Sequence, residues 1–359
     1  MLDMLRTIVA FIIALGVLIF IHEMGHYFAA RSRGVVVEVF SIGFGPALVK
    51  WRAKSGTIWQ VSALPLGGYV KMQGWGETED NAPAGPGSFA AASLASKAII
   101  VAAGPLANLA LAFVLFAGLF MAVGQAVTQP ILSQIVPNSP AAAAHLQAGD
   151  RVLEIGATPI GNFAEMQQII LLHPDTVLDF TIRRDTQVFT QPVTVGDVTE
   201  NGETVGHLGV VGTDSTMRRY APPGAIIAAA QQTGHEISSW GAGMTMLIVQ
   251  HKGLKDLSGP LGIAEITGQA AAMGIASLVW LVAVLSINLG LVNLIPIPIL
   301  DGGHLLFYAV EAIIRRPVPA QAREAGLRFG IAVIFSLFLL TTFNDLTRVG
   351  AFSWLTHLL

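Results

Sequence analysis

The sequence predicts an α-helical polytopic membrane protein with four transmembrane helices, a re-entrant β-hairpin region on the cytoplasmic side and one exported α+β domain. Three observations carry this expectation. Of 359 residues, 53% are hydrophobic and only 12% charged, and the mean hydropathy is +0.63. That is too apolar for a soluble chain of this length. Four stretches, at about residues 5–30, 99–123, 277–300 and 327–343, are long and apolar enough to span a bilayer. Between the second and third lies a long segment that alternates like a small soluble domain. The net charge of −3 offers no footprint for nucleic acid. With no cysteine, any metal site must use His, Asp or Glu.

The first span is followed by Arg31 and Arg33 and preceded only by Arg6, which fits a retained span better than a signal peptide. It contains Ile21-His22-Glu23-Met24-Gly25-His26. In a helix His22 and His26 share a face, so both imidazoles can reach one metal ion, and Glu23 stands where a carboxylate can take a proton from a water on that ion. This is the H-E-x-x-H arrangement of zinc peptidases. Ionisable groups inside a span are expensive and mark function. Basic residues set the orientation. Arg31, Arg33, Lys50, Arg52, Lys54, Lys71 and Lys97 follow span one, and Arg315, Arg316, Arg323 and Arg328 lie between spans three and four. The positive-inside rule places both loops in the cytoplasm and both termini outside. His22 then lies roughly 24 Å into the first span, toward the cytoplasmic side.

From Val35 to Met72 the pattern turns strand-like. Val35–Phe40 is β-branched, Ile42-Gly43-Phe44-Gly45-Pro46 reads as a bend, and Lys54-Ser55-Gly56 is a hairpin turn between Leu48–Arg52 and Thr57–Val61. Gly67-Gly68 opens a further strand to Met72. Two readings fit: a small sheet capping the cytoplasmic face, or an edge, bent at Gly43, Gly45, Gly67 and Gly68, on which an unwound substrate pairs. Residues 73–90, rich in Gly, Pro, Ala and acidic groups, read as a linker. Span two begins Gly104-Pro105-Leu106-Ala107-Asn108. Its small residues permit close helix packing, and Asn108 either lines a substrate site or bonds a neighbouring helix.

The exported segment, about residues 125–215, predicts a strand, a short helix after Ser139-Pro140, a glycine turn at Gly149-Asp150 and a second strand. A helix near 163–172 and strands near 178–183 and 187–194 complete it. Its core, Leu146-Gln147-Ala148-Gly149-Asp150-Arg151-Val152-Leu153-Glu154-Ile155-Gly156, resembles that of bacterial PDZ domains, which implies a peptide or C-terminal tail as ligand by strand addition. Residues 216–275 read as a juxtamembrane region with an amphipathic helix at the outer membrane surface. Span three ends Asn293-Leu294-Ile295-Pro296-Ile297-Pro298-Ile299-Leu300-Asp301-Gly302-Gly303-His304, with two prolines that break the helix. Spans one and three run in the same direction, so Asp301 can meet His22 and His26 and leave an open fourth position for water. His304 competes as a ligand.

Taken together, these pieces and Leu257-Ser258-Gly259-Pro260 resemble the site-2 protease family of intramembrane metalloproteases, in its bacterial regulator-of-sigma-E protease branch. The likeness spans nearly the whole chain. It implies one Zn²⁺ per chain on His22, His26 and Asp301, Glu23 as catalytic base, and Asn293 as a substrate-positioning residue. The strand region would be the family's re-entrant β-loop. The best-known members carry two PDZ domains in tandem; this chain has room for one. The resemblance implies single-span membrane proteins as substrates, such as pre-trimmed anti-sigma factors and remnant signal peptides. It also implies a bacterial inner-membrane location, with the PDZ domain periplasmic. A membrane-anchored PDZ adaptor with a structural metal is the alternative from another class.

Overall fold

The computed structural model describes residues 2–75, 85–200, 203–249 and 257–348. Half of the expected linker, residues 76–84, and the chain after residue 348 lie outside the described residues. The chain divides into two compact units, one of residues 1–119 and 222–359, the other of residues 120–221.

Helix α1, Leu2–Ser32, carries the histidine pair in its C-terminal half. Strands β1, Val37–Arg52, and β2, Ile58–Met72, follow as an antiparallel pair, and both fold back on themselves. The second half of β1 forms the hairpin with the start of β2, where Lys50 faces Gln60 and Arg52 faces Ile58. Its first half meets β2 twice: Ile42 faces Gly68 on one side and Val61 on the other. Gly43 and Gly67 make these bends, at φ of +88° and +119°, where a side chain would be strained. The sheet is clamped to α1 by rings. Phe40, fully buried, stacks on Trp59 at 4.4 Å between centroids, and Tyr27 and Phe20 meet it edge-on at 5.8 Å. Helix α2, Leu94–Ala122, adds Ile100 and Val101 to the same core.

The second unit opens with β3, Gln125–Thr128, and β4, Gln134–Ile135. A four-residue helix α3, Pro140–Ala143, is capped by the Ser139 hydroxyl. Then come β5, Arg151–Ile155, β6, Thr158–Pro159, and α4, Phe163–Leu171. Asn162 caps α4 by accepting from the Glu165 N–H, while Glu165 accepts from Gly161, a reciprocal cap that fixes the start of the helix. Strands β7, Val177–Arg184, and β8, Gln187–Thr194, complete a sheet in the order β6-β5-β7-β8. A hairpin follows, β9, Gly196–Glu200, with β10, Glu203–His207. Two further pairings close the unit on itself: β11, Val210–Val211, with β4, and β12, Ser215–Arg218, with β3. Met166, Phe180, Ile182 and Val193 fill its core. Fully buried Asp150 is neutralised by two 2.7 Å contacts from Arg184.

Helices α5, Pro222–Ile248, and α6, Pro260–Met273, occupy the stretch expected as one amphipathic helix. Helix α6 starts at Pro260, directly after Gly259. Helix α6 packs on α1, with Gly268 opposite Thr7 so closely that a Cβ there would overlap it. Helix α7 runs Ile275–Asn293 and stops short of the expected Leu300, because Pro296 and Pro298 cannot continue it. The chain returns to helix in α8, Asp301–Ile314, where a loop was expected over residues 305–326. Helix α9, Ala320–Arg348, begins earlier than the apolar stretch alone suggests. The charges of its first turns are paired, Arg323 with Glu311 and Arg328 with Glu324, both at 2.7 Å. Among the described residues, α1 (from Asp3), α2, α7 and α9 are long and apolar enough to cross a membrane.

Helix α6 has no cap of its own: its N-cap is Gly259. The Asp345 carboxylate of α9, 1% exposed, does the capping, accepting from the Gly259 and Gly262 N–H groups at 3.0 and 2.9 Å. The Leu257-Ser258-Gly259-Pro260 motif is therefore a docking point for an acid 86 residues away in the chain. Asp345→Ala should destabilise the full chain by about 1.5–3 kcal/mol. Asp345→Asn, which keeps one acceptor, should lose less. Thermal melting in detergent reads this, and equal melting of wild type and Asp345→Ala would show the cap to be dispensable.

Candidate metal centre

The broken stretch after α7 places Asp301 on the first turn of α8, where a carboxylate is favoured by the helix dipole. Gly302 and Gly303 let that turn pack directly on the backbone of Leu294–Pro298; a Cβ on either would overlap it. The result is that Asp301 reaches the histidines of α1. Its Oδ2 lies 3.1 Å from His22 Nε2 and 3.5 Å from His26 Nε2, and the two nitrogens are 3.2 Å apart.

These distances describe a small triangle. Ligands about 2.0–2.1 Å from a tetrahedral ion stand about 3.3 Å from one another, so the triangle fits three corners of such a site. The chemistry agrees. Asp301 Oδ2 is buried and, despite its short contacts to the two rings, finds no partner at hydrogen-bonding geometry among the described residues. A buried carboxylate left unpaired is destabilising by about 3–5 kcal/mol. One cation among the three atoms would satisfy them together. Two imidazole nitrogens, a carboxylate oxygen and an open side toward a cavity form the donor set of a hydrolytic zinc site. Within 4.8 Å of one another, His22, His26 and Asp301 are the metal-competent group among the described residues. His304 is not among them; its ring lies edge-on to Trp75 at 5.4 Å.

The surrounding helices hold the rings. His26 Nδ1 is 2.9 Å from the Ile100 carbonyl, so it carries the proton and donates it there, leaving Nε2 as the lone pair. Helices α1 and α2 cross here in near contact. A Cβ on Gly25 would overlap the Ala103 carbonyl, and one on Gly104 would overlap the His26 ring itself. The Gly104-to-Asn108 motif thus makes the space in which His26 stands.

A cavity of about 360 Å³ opens on the triangle. Glu23 lines it beside the histidines, 9% exposed, with Gly68 of β2 packed so closely that a Cβ there would meet its Cγ at 3.0 Å. The second half of β2, from Gly67 to Met72, forms one wall. Asn293, Leu289, Ile299 and Leu300 line the cavity from α7 and the stretch beyond it. Of the substrate-side residues expected from sequence, Gly67, Gly68 and Asn293 are on the cavity. Gly43 sits at the bend of β1, where a Cβ would meet the Leu64 carbonyl at 2.7 Å, and Gly45 lies just beyond it; neither is on the cavity wall. Asn108 is fully buried behind His22. Tyr69 and Trp75 also line the cavity. The sequence marks neither of them, except that Tyr69 follows Gly67-Gly68.

Such a centre in a framework of span-length helices defines a class, the membrane metallopeptidases. The profile of peptidase family M50 matches residues 10–337, and the chain belongs to that family, the site-2 proteases. It is similar to a protein of Agrobacterium fabrum provisionally named a zinc metalloprotease, at 37% identity over 95% of this chain and 96% of the other. It is also similar to the metalloprotease MmpA of Caulobacter vibrioides, at 32% identity over 99% of both chains. The PDZ domain of the SdrC-like protein of Listeria monocytogenes matches 23% of this chain and 86% of its own, at 16% identity and a TM-score of 0.21.

Gly104→Ala should weaken zinc binding by about tenfold or more, because the new methyl occupies the His26 ring position. Zinc titration against a chromophoric chelator measures it, and unchanged affinity would mean the two helices separate without cost.

Proposed function

We propose that the chain is an intramembrane zinc endopeptidase that cleaves the transmembrane segments of single-span membrane proteins. The observation that carries this is the triangle of His22, His26 and Asp301 opening on the cavity that Glu23 and the β2 edge also line. His22, His26 and Asp301 would hold one zinc, in keeping with the zinc-metalloprotease names of the relatives. Bound zinc supplies Lewis acidity, lowering the pKa of water toward neutrality and polarising the scissile carbonyl. Glu23 accepts the proton of the attacking water and returns it to the leaving amine. Its burial beneath Gly68 keeps the carboxylate out of bulk water and on the cavity.

A helical peptide bond is shielded by its own hydrogen bonds, so substrate must be extended before it is cut. Among the described residues, the segment Gly67–Met72 pairs with β1 along one side only. Its other edge offers backbone groups for strand addition along the cavity. Asn293, on the same cavity, then fixes the substrate backbone through its amide. The Gly43–Pro46 bend acts at one remove, by holding β2 in place.

The basic residues around spans one and four orient the centre toward the cytoplasm and residues 120–221 to the exported side. That unit is read as a PDZ domain that takes a peptide or C-terminal tail, filtering substrates or holding a cut end. In a bacterial inner membrane, pre-trimmed anti-sigma factors and remnant signal peptides are substrates of the right form, in regulated intramembrane proteolysis.

Glu23→Gln should cut a reconstituted single-span substrate at least about 100-fold more slowly than wild type, with bound zinc unchanged. Cleavage at the wild-type rate would remove Glu23 from the chemistry. Asp301→Ala should instead lose both cleavage and most bound zinc; full retention of zinc would remove Asp301 from the ligand set.

A further inference from the structure

Behind His22 stands Asn108, fully buried on α2. Its amide nitrogen lies 3.5 Å from His22 Nδ1, and its Oδ1 is buried with no hydrogen-bond partner among the described residues. The residue is held independently of its side chain, since the Ser286 hydroxyl of α7 donates to its backbone carbonyl at 2.8 Å. Helix α7 approaches α2 closely at this point, with Gly290 against Pro105 and the Asn108 Cβ.

We propose that Asn108 is a positioning residue of the metal centre. Its amide is turned so that Oδ1 accepts the Nδ1–H of His22, fixing the Nε2 lone pair on the metal position. This rests on the reading of His22, His26 and Asp301 as a zinc site. A neutral imidazole has one N–H and one lone pair. His22 Nε2 points into the triangle beside Asp301 Oδ2 and His26 Nε2, so as a ligand it must bear the lone pair, and Nδ1 must bear the hydrogen. An amide NH₂ facing Nδ1 would then set donor against donor. The two ends of an amide have the same shape, so the hydrogen-bond partners decide which end faces the ring. Turned over, Asn108 offers His22 what the Ile100 carbonyl offers His26 at 2.9 Å: an acceptor behind the ring. Both ligating rings then share one tautomer, each set from α2.

The test is zinc affinity of the full chain in detergent, by competition with a chromophoric chelator, for wild type, Asn108→Asp and Asn108→Leu. Melting of each metal-free protein is measured alongside. Aspartate keeps the acceptor and lacks the NH₂. Asn108→Asp should therefore bind within about threefold of wild type or tighter, while Asn108→Leu should be weakened about 10–100-fold. Loss in Asn108→Asp as large as in Asn108→Leu would assign the donor role instead and overturn the proposal, as would wild-type affinity in Asn108→Leu. If Asn108→Leu fails to fold, the comparison of Asn108→Asp with wild type alone decides between acceptor and donor. Wild type binding no more zinc than Asp301→Ala would overturn the metal reading itself, a result distinct from any pattern among the Asn108 variants.

Discussion

Asp301 and the two histidines of α1 come from opposite ends of the sequence and meet within 3.5 Å in a packed, apolar setting. Buried ionisable groups tolerate no half-measures: each must find a counter-charge, a hydrogen bond or a metal. Much of the first unit can be understood as the means of holding that meeting. Pro296 and Pro298 end α7 early so that α8 can begin with an acid. The paired glycines after it let the new helix tuck beneath the broken stretch. Gly104 clears the volume that His26 fills, and Gly25 lets α1 and α2 approach until the Ile100 carbonyl reaches the ring.

The two units rely on different physics. Residues 120–221 fold around an ordinary apolar core, with Phe180, Met166 and Ile182 fully buried and, at its margin, buried Asp150 paired with a partly exposed Arg184. The helices of the other unit expose long apolar side chains, Phe329, Phe335 and Phe338 among them. They meet instead through small residues: Gly268 on Thr7, Gly290 on Pro105 and Gly104 on His26. That is how helices associate where the solvent is as apolar as their own side chains. Polar pairings such as Asp345 with the start of α6 then supply direction to contacts that packing alone leaves unspecific.

What could be read from the sequence follows from what is local. The four-residue spacing of His22 and His26 is a property of one helix, and the hairpin turn at Lys54-Ser55-Gly56 of one loop. Helix α4 announces itself by Asn162 and Glu165, and β7 and β8 by their alternation. Asp301 could be connected to α1 because direction along a span is itself a local rule applied twice. The rest depends on partners far away in the chain. Gln125–Thr128 and Ser215–Arg218 are short polar segments with no period, and only pairing makes them strands. Helix α8 was hidden by its position after a proline break, and the side of α2 that Asn108 occupies depends on how α2 crosses α1. The double pairing of β1 needs the bend at Gly43–Pro46, which the sequence marks, and its direction, which the sequence does not.

The bend at Gly67 has a consequence for what such an enzyme can recognise. It sets an edge strand, not a groove for a helix, along the cavity. A chain laid on that edge presents alternate side chains to opposite faces, so the cavity would read every second residue of its guest. If, as proposed, the guest is a membrane-spanning segment, preference would be written with a period of two, while the segment's own helix has a period of 3.6. A sequence selected to lie comfortably in a bilayer carries little information at the spacing this edge reads. Selection would fall on how readily the segment abandons its helix, with side-chain identity a secondary vote.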